Sequence, residues 1–395
     1  MKIIGIVAEY NPFHEGHAYH IEASRNMIQE DSTVVCVMSG DFVQRGESAI
    51  FSKHARARAA VTGGADLVLE LPLPWSLMSA EGFARGSVAI FGALGCVDYL
   101  SFGSESGTLE PLETLAKSIM EPSFIPRVRY EMKEGISFPA ARQRVLESEL
   151  GEVARLLESP NNTLAVEYLR AILEMQLRVS PMTISRKGVG HDQPGGSASD
   201  IRKALSFENT FSDYVPQSVR AVLEGEIRLG RGPVTAASLE TAVVSRLRML
   251  NEENFLRLPD AGEGLGNRLF TAVQSEPTLD GILAVAKTKR YTLSRLRRML
   301  MCAALGISAV SAESLPPYAR VLAGNEKGRA ALRLISDKST IPVVTKPAAA
   351  KQLSQECREV LELGSRAHDL FVLGYRARDE KRGGADYRAV PAMLD

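Results

Sequence analysis

Ile3-Ile4-Gly5-Ile6-Val7-Ala8 is an unbroken apolar run. A soluble chain buries such a run as a strand covered on both faces, the situation of a parallel sheet. The pattern recurs: Thr33–Met38, Leu67–Leu71 and Val97–Phe102 read as further strands. Helix-period segments separate them, at about His14–Gln29, Arg56–Thr62 and Ser79–Leu94, with Gly63-Gly64 and Gly95 as stop signals. A largely helical stretch, Glu110 to Leu177, precedes another short strand at Met182–Ser185. Alternation of this kind specifies an α/β fold with an open, doubly wound parallel sheet of the Rossmann type.

Beyond about Ser206 the β signal largely disappears. Leu239–Leu250, Gly266–Gln274, Thr292–Leu305, Gly328–Ile335 and Glu356–Leu370 carry apolar positions at helical spacing, so a mainly α-helical C-terminal domain is expected. The boundary near 206 divides the chain into residues 1–205 and 206–395. The polar stretch Arg376 to Asp386 reads as poorly ordered.

Composition narrows the function classes. At 45% hydrophobic the 395-residue chain is too apolar for disorder, and 47 Lys+Arg against 47 Asp+Glu excludes a uniformly basic coat for nucleic acid. The neutral sum hides an asymmetry: residues 1–205 hold 20 cations and 25 acids, a net of −5, and residues 206–395 hold 27 and 22, a net of +5. Such a split hints at nucleic-acid or membrane contact by the basic half, although a surplus of this size also arises by chance. The N-terminal apolar run meets Glu9 too early for a signal peptide, and no stretch approaches the roughly 18 apolar residues of a membrane helix. Cys36, Cys96, Cys302 and Cys357 are scattered, which suits neither a zinc site nor a disulfide framework and fits a reducing cytoplasm. A cytoplasmic protein with no membrane contact and no resident metal is expected.

The segment richest in chemistry is Asn11-Pro12-Phe13-His14-Glu15-Gly16-His17, where the first strand turns into the first helix. Doubly wound sheets bind nucleotides at this carboxyl edge. Histidines three apart at a helix start project to one side, and the helix N-terminus adds donors and partial positive charge for phosphate. Gly16, with no side chain, lets a nucleotide ring approach the backbone. His14 and His17 can then stabilise the charge that builds up as pyrophosphate leaves. A zinc pair on a helix is more often spaced by four, and no third ligand lies near in sequence.

This arrangement resembles the HIGH-motif nucleotidyltransferases, in which a strand, a His-x-Gly-His turn and a helix bind ATP. The resemblance implies a late Ser-x-x-Ile-Arg signature at a helix start, and Ser197-Ala198-Ser199-Asp200-Ile201-Arg202-Lys203 fits it. Its hydroxyls and amides can hold phosphate and Arg202 adds fixed charge; read alone, the segment is a helix cap.

Longer blocks carry a closer likeness: Gly5–His14, Ser39–Glu47, Leu69–Pro72, Phe102-Gly103-Ser104-Glu105, Ser159–Leu164 and Arg186–Asp192. Together they resemble the bacterial tRNA(Met) cytidine acetate ligase family over nearly the whole chain. The resemblance implies ATP-dependent activation of acetate as acetyl-adenylate, with Mg2+ carried by ATP, and acetyl transfer to N4 of the wobble cytidine (position 34) of elongator tRNA(Met). It implies ATP contacts along Val7, Ala8, Glu9, Tyr10, Asn11, Pro12, Phe13, His14, Glu15, Gly16, His17, Ala18, Tyr19 and His20. It adds Gly103, Asn161 or Asn162, Arg186 and Ser199, and catalytic roles for His14, His17 and Arg202. His191 follows Gly190 where the family pattern has an aromatic residue first, so no role is assigned to it.

The same residues have plainer readings. Gly103 also reads as a turn glycine, one of Asn161 and Asn162 as a helix cap, and Arg186 as a solvated side chain. Asp41, Gln44, Arg45 and Lys53 follow the second strand at the same edge, and some of them are expected to face the acyl adenylate or the tRNA.

In the second half, Lys287, Lys289, Arg290, Arg295, Arg297 and Arg298 place six cations within twelve residues with no acid and one tyrosine, Tyr291. A solvated helix face normally interleaves acids, so the segment reads as an RNA-backbone contact with a ring for stacking. The runner-up reading is a cofactor-biosynthetic nucleotidyltransferase moving AMP or CMP to a small phosphorylated acceptor, which leaves the basic segment unexplained. A third is a non-enzymatic RNA-binding module, against which the intact His14, Gly16, His17 and Arg202 speak.

Overall fold

In the computed structural model, which describes residues 1–185, 201–202, 214–262, 264–309 and 314–395, the alternating pattern forms one mixed sheet. Strands β1 (Lys2–Ala8), β2 (Ser32–Ser39), β5 (Leu67–Leu71), β6 (Tyr99–Ser104) and β7 (Ser180–Ser185) stand in the order β5-β2-β1-β6-β7, all parallel. A two-strand hairpin, β3 (Phe42–Val43) with β4 (Glu47–Ser48), projects after β2. Helices α1 (Glu15–Ile28), α2 (Lys53–Thr62) and α3 (Ala80–Leu94) are the crossovers. Strand order reverses between β1 and β6, so the crevice at their carboxyl ends is the topological switch point.

Period-two burial explains why these runs are continuous. Ile3, Val35, Val37, Leu67 and Leu69 pack into one core with Phe91 of α3, whereas Ile4, Ile6, Cys36, Met38 and Val68 pack into another with Ala55 and Ala59 of α2. Both sheet faces are therefore dry, each large apolar side chain contributing roughly 1.5–3 kcal/mol. A third core belongs to the helices Ala236–Arg248, Leu265–Ser275, Leu279–Ala286, Leu293–Leu305 and Gln355–Val372, and it also takes in Phe42 of the hairpin with Leu73 and Leu77. Among the described residues no helix is long and apolar enough to cross a membrane.

Two features depart from expectation. First, β8 (Ala319–Gly324) joins the sheet antiparallel to β5, and the short strands Val343–Val344 and Ala392–Met393 pair with β8. The β signal was hidden because Arg320 interrupts the apolar run. Its guanidinium is buried against Glu70 (3.2 Å) and Asp386 (2.8 Å), partners far away in sequence. Second, Arg376–Asp386 is built into the fold. Arg231 donates to Glu380 (3.0 Å), Gly384 N donates to Asp369 Oδ1 (2.7 Å), and Asp386 is fully buried. A polar composition signals disorder only when its charges lack buried partners.

Asp386 closes an interior charge network. Its carboxylate takes Lys53 (3.1 Å), His54 (2.8 Å), Arg320 and Ser365 (3.1 Å), and Lys53 also pairs with Glu70 at 2.8 Å. Next to it, His368 Nδ1 donates to Asp41 Oδ2 at 2.8 Å. His54, His368 and Asp386 lie close enough to hold a metal, but these hydrogen bonds already account for the Asp386 carboxylate and for His368 Nδ1.

Burial opposes charge on His368, but the Asp41 carboxylate overcomes it and raises the imidazole above its ordinary value. Burial likewise pushes Asp41 upward, but His368 foremost, with Lys53 and Arg56, more than offsets this and holds its carboxyl well below the usual range. A raised base stabilises fully below its unfolded pKa, about 6.5, and loses that contribution as pH rises through the folded value. The depressed acid contributes above about 3.9 and loses it on acidification. The pair is therefore fully stabilising from about pH 4 to 6.5. The melting-temperature difference between wild type and His368→Gln is expected to shrink between pH 6.5 and 9; a gap constant over that range would contradict the pairing.

Candidate active site

The β1–α1 connection is held in shape from several sides. Tyr10 turns the chain with a left-handed φ of 46° and stays buried, its hydroxyl on Cys36 Sγ at 3.3 Å. Arg56, fully buried, donates Nε–H to Phe51 O (3.0 Å), and its terminal nitrogens donate to Glu9 O (2.6 Å), Ser39 O (3.1 Å) and Gly40 O. It thereby ties the carboxyl ends of β1 and β2 together, a role that its position in a helical pattern did not reveal. Asn11 Oδ1 accepts from Ile50 N at 2.8 Å, and Arg202 donates to Asn11 O at 2.8 Å. Glu9 accepts from Gln44 N at 2.9 Å, and burial raises its pKa against the pull of that bond and of Arg202 and Arg45.

The two histidines cap α1 reciprocally. His14 Nδ1 accepts from Gly16 N (3.1 Å) while His17 Nδ1 accepts from His14 N (3.2 Å), a capping box made of imidazoles. Their rings stack at 3.7 Å and 28°, and Tyr10 and Phe13 pack around His17 at 4.8 and 5.5 Å. Because each Nδ1 accepts a backbone proton, the hydrogen-bond pattern puts the proton of the neutral ring on Nε2. Two stacked imidazoles thus lie at the positive end of a 14-residue helix. A Cβ on Gly16 would lie 3.0 Å from His14 Cε1, so its missing side chain serves the histidine's packing.

The switch point brings the other residues alongside. β6 runs parallel to β1 with Ile6 opposite Ser101, which puts Gly103 level with Ala8. Val7, Ala8 and Glu9 are half-buried at the strand end, Pro12 and Phe13 are buried, and Glu15 and Tyr19 are exposed. Ala18 N donates to His14 O (3.3 Å), and His20 Nε2 meets Ser101 Oγ at 2.9 Å. Asn162, buried, accepts from Glu105 N (2.9 Å) and Ser106 N (3.3 Å), and Asn161 donates to the Glu105 carboxylate. Both asparagines therefore shape the turn after Gly103. Arg186 and Ser199, like Ser197 and His191, lie outside the described residues.

Of the four loop residues, Asp41 and Lys53 are buried in the ionic network, leaving Gln44, half-buried, and Arg45, exposed, at the edge. Their burial was not legible because their partners come from residues 368 and 386.

The basic segment is not one helix. Residues 287–292 form a turn and the helix begins at Leu293. Lys287, Lys289 and Arg290 are exposed. Arg295 donates to Asp260 O (2.7 Å) and lies over the Tyr291 ring at 5.4 Å; Arg297 pairs with Glu47 at 2.6 Å and Arg298 with Asp260 at 3.6 Å. The acids missing locally are supplied from elsewhere in the chain, and Tyr291, expected to stack on a base, is 94% buried (6% exposed) in the helical core. Gly46, at φ +76°, lets the hairpin sit on this helix: a Cβ there would lie 2.3 Å from Arg298 N.

Comparison with known proteins places this geometry. The family model described as HIGH Nucleotidyl Transferase matches residues 1–386. The tRNA(Met) cytidine acetate ligase of Acetivibrio thermocellus is 36% identical, with 98% of each chain covered. That of Thermosipho africanus is 36% identical over 96% of this chain and 92% of its own. The crystal structure of Thermotoga maritima TmcAL bound with alpha-thio ATP superposes with a TM-score of 0.93 over the full length of both chains, at 32% identity.

Proposed function

The chain belongs to the HIGH nucleotidyl transferase family and, within it, to the tRNA(Met) cytidine acetate ligases; we propose that it is an ATP-dependent ligase that acetylates N4 of the wobble cytidine, position 34, of elongator tRNA(Met). An acetate oxygen attacks the α-phosphorus of ATP and the bond to the β-phosphate breaks, with pyrophosphate leaving on the electron pair. The cytidine N4 then attacks the acyl carbon of acetyl-adenylate, AMP leaves, and the amine proton passes to solvent. The observation that carries this reading is the reciprocal His14–His17 cap, which sets two stacked imidazoles and a helix N-terminus on the β1–α1 connection beside the switch point.

In this reading His14 and His17 bind the phosphates and stabilise the charge on departing pyrophosphate, and Arg202 adds fixed positive charge beside the Asn11 carbonyl. The backbone from Val7 to His20 and Gly103 cradles the nucleotide, Asn161 and Asn162 hold the turn beside it, and Arg186 and Ser199 are assigned as phosphate contacts from the sequence. Mg2+ enters on the triphosphate. The half-buried Glu9 carboxylate accepts from Gln44 N, and no protein ligand is assigned to the metal. Residues 1–205 handle ATP and residues 206–395 the RNA. Lys287, Lys289 and Arg290 meet the RNA backbone, with Arg295, Arg297 and Arg298 holding their turn in place.

The test is incubation with ATP, labelled acetate and bulk tRNA, in which label is expected to enter RNA only with ATP. AMP transfer to a phosphorylated small molecule, with no label in RNA, would favour the cofactor-biosynthetic alternative. Replacing both Lys289 and Arg290 by alanine is expected to reduce the slope of log affinity for tRNA against log salt by about 1.4–1.8, the share of two phosphate contacts. An unchanged slope in a filter-binding titration would remove the turn from the interface.

A further inference from the structure

A cavity of about 230 Å3 lies between the β3–β4 hairpin and the helical layer, bounded by Ile50, Arg202, Leu239, Leu283 and Leu300 among others. We propose that it seats the acceptor nucleobase, extruded from the RNA loop, during acyl transfer; this rests on the ligase reading above. Three observations point there.

The first is position. Arg202 and Ile50 line the cavity, and each also donates a hydrogen bond to Asn11, through its carbonyl and its side chain respectively, at 2.8 Å. Two residues of the cavity wall are therefore hydrogen-bonded to the β1–α1 loop, which carries the stacked histidines. A base in the cavity stands next to the site where the adenylate forms.

The second is size and chemistry. An engineered cavity of about 150 Å3 holds benzene, so this one accepts a pyrimidine ring with sugar atoms and is far too large for an acetyl group alone. Its walls are mainly aliphatic, which suits the faces of a flipped base. Glu47 and Asp280 also line it, supplying carboxylate acceptors of the kind an exocyclic amine requires, and Glu47 is oriented by Arg297 at 2.6 Å.

The third is continuity with the RNA path. Asp280 and Leu283 sit on the helix Leu279–Ala286, which runs directly into the exposed Lys287, Lys289 and Arg290. Exposed cations at the end of a wall helix, with an apolar cavity beside that helix, match a backbone held outside with one base turned in.

Two full-chain variants fill the cavity from different walls: Ala236→Trp, at an exposed helix start, and Leu283→Phe. Acetate-dependent ATP–pyrophosphate exchange is measured without RNA, and acetyl transfer is measured on a synthetic anticodon stem–loop. The same stem–loop with 2-aminopurine 3′ to the acceptor cytidine reports unstacking by fluorescence, and each variant is scored with its melting curve. Exchange is expected to stay within twofold of wild type while transfer falls at least tenfold, and the fluorescence rise seen with wild type is expected to vanish. Transfer within twofold in either filled variant that melts like wild type overturns the assignment. So does exchange falling in step with transfer, or no fluorescence change with the unaltered protein. Absence of acetate-dependent exchange in the unaltered chain sinks the ligase reading itself, through an arm that contains no RNA.

Discussion

Replacing His17 with alanine is expected to lower acetate-dependent ATP–pyrophosphate exchange by about 100- to 1,000-fold, the usual effect of removing one preorganised donor from developing charge. His17 does two jobs that the variant conflates. Its Nδ1 accepts from His14 N at 3.2 Å, closing the cap, and in the proposed mechanism its imidazole is a donor to departing pyrophosphate. Losing the cap costs about 0.5–2 kcal/mol of stability, which a melting curve reads separately. His17→Asn retains a side-chain acceptor for the cap without an imidazole. It is expected to melt closer to wild type than the alanine variant while exchange stays low. Exchange within twofold of wild type in His17→Ala would show that the stacked pair is structural only.

Asp386→Ala is expected to destabilise the fold by roughly 3–5 kcal/mol, the range for breaking a buried ion pair from one side. Lys53, Arg320 and His54 converge on this carboxylate, and Glu70 is the other acid paired with Lys53 and Arg320. Lys53 and Arg320 have side-chain exposures of 1% and 3%, so water cannot replace the lost charge. The control is Glu380→Ala, whose partner Arg231 is about one-third exposed. That pair is expected to contribute less than 1 kcal/mol because solvent screens it. Urea denaturation of both variants checks the contrast, and equal midpoints would contradict the assignment of the network as the C-terminal anchor.

Much of the sheet was legible because its signal is local. A strand dry on both faces needs an unbroken apolar run, and β1, β2, β5 and β6 were each placed within about two residues of their observed ends. The cap was legible for the same reason: His14, Gly16 and His17 are neighbours in sequence and meet in the first helical turn. β8 was not legible, since Arg320 makes sense in a buried strand only once Glu70 and Asp386 are beside it. The basic segment misled in the same way. Its lack of acids suggested six cations and a ring all presented to RNA, whereas Glu47 and Asp260 neutralise two of the cations and Tyr291 is packed away in the helical core.

What the sequence alone determined is the class of fold and the place of its chemistry: a doubly wound sheet whose first crossover turn carries paired imidazoles at a helix N-terminus. Periodicity and capping act over a few residues, so they can be read along the chain. What only the tertiary structure decided is which charges are free to act. Lys53, Asp41 and Arg297 look like Arg45 and Lys289 in one dimension. Lys53 and Asp41 are buried against partners from distant segments and Arg297, one-third exposed, is paired with Glu47; pairing of this kind, a property of three-dimensional neighbours, separates these ions from the exposed Arg45 and Lys289.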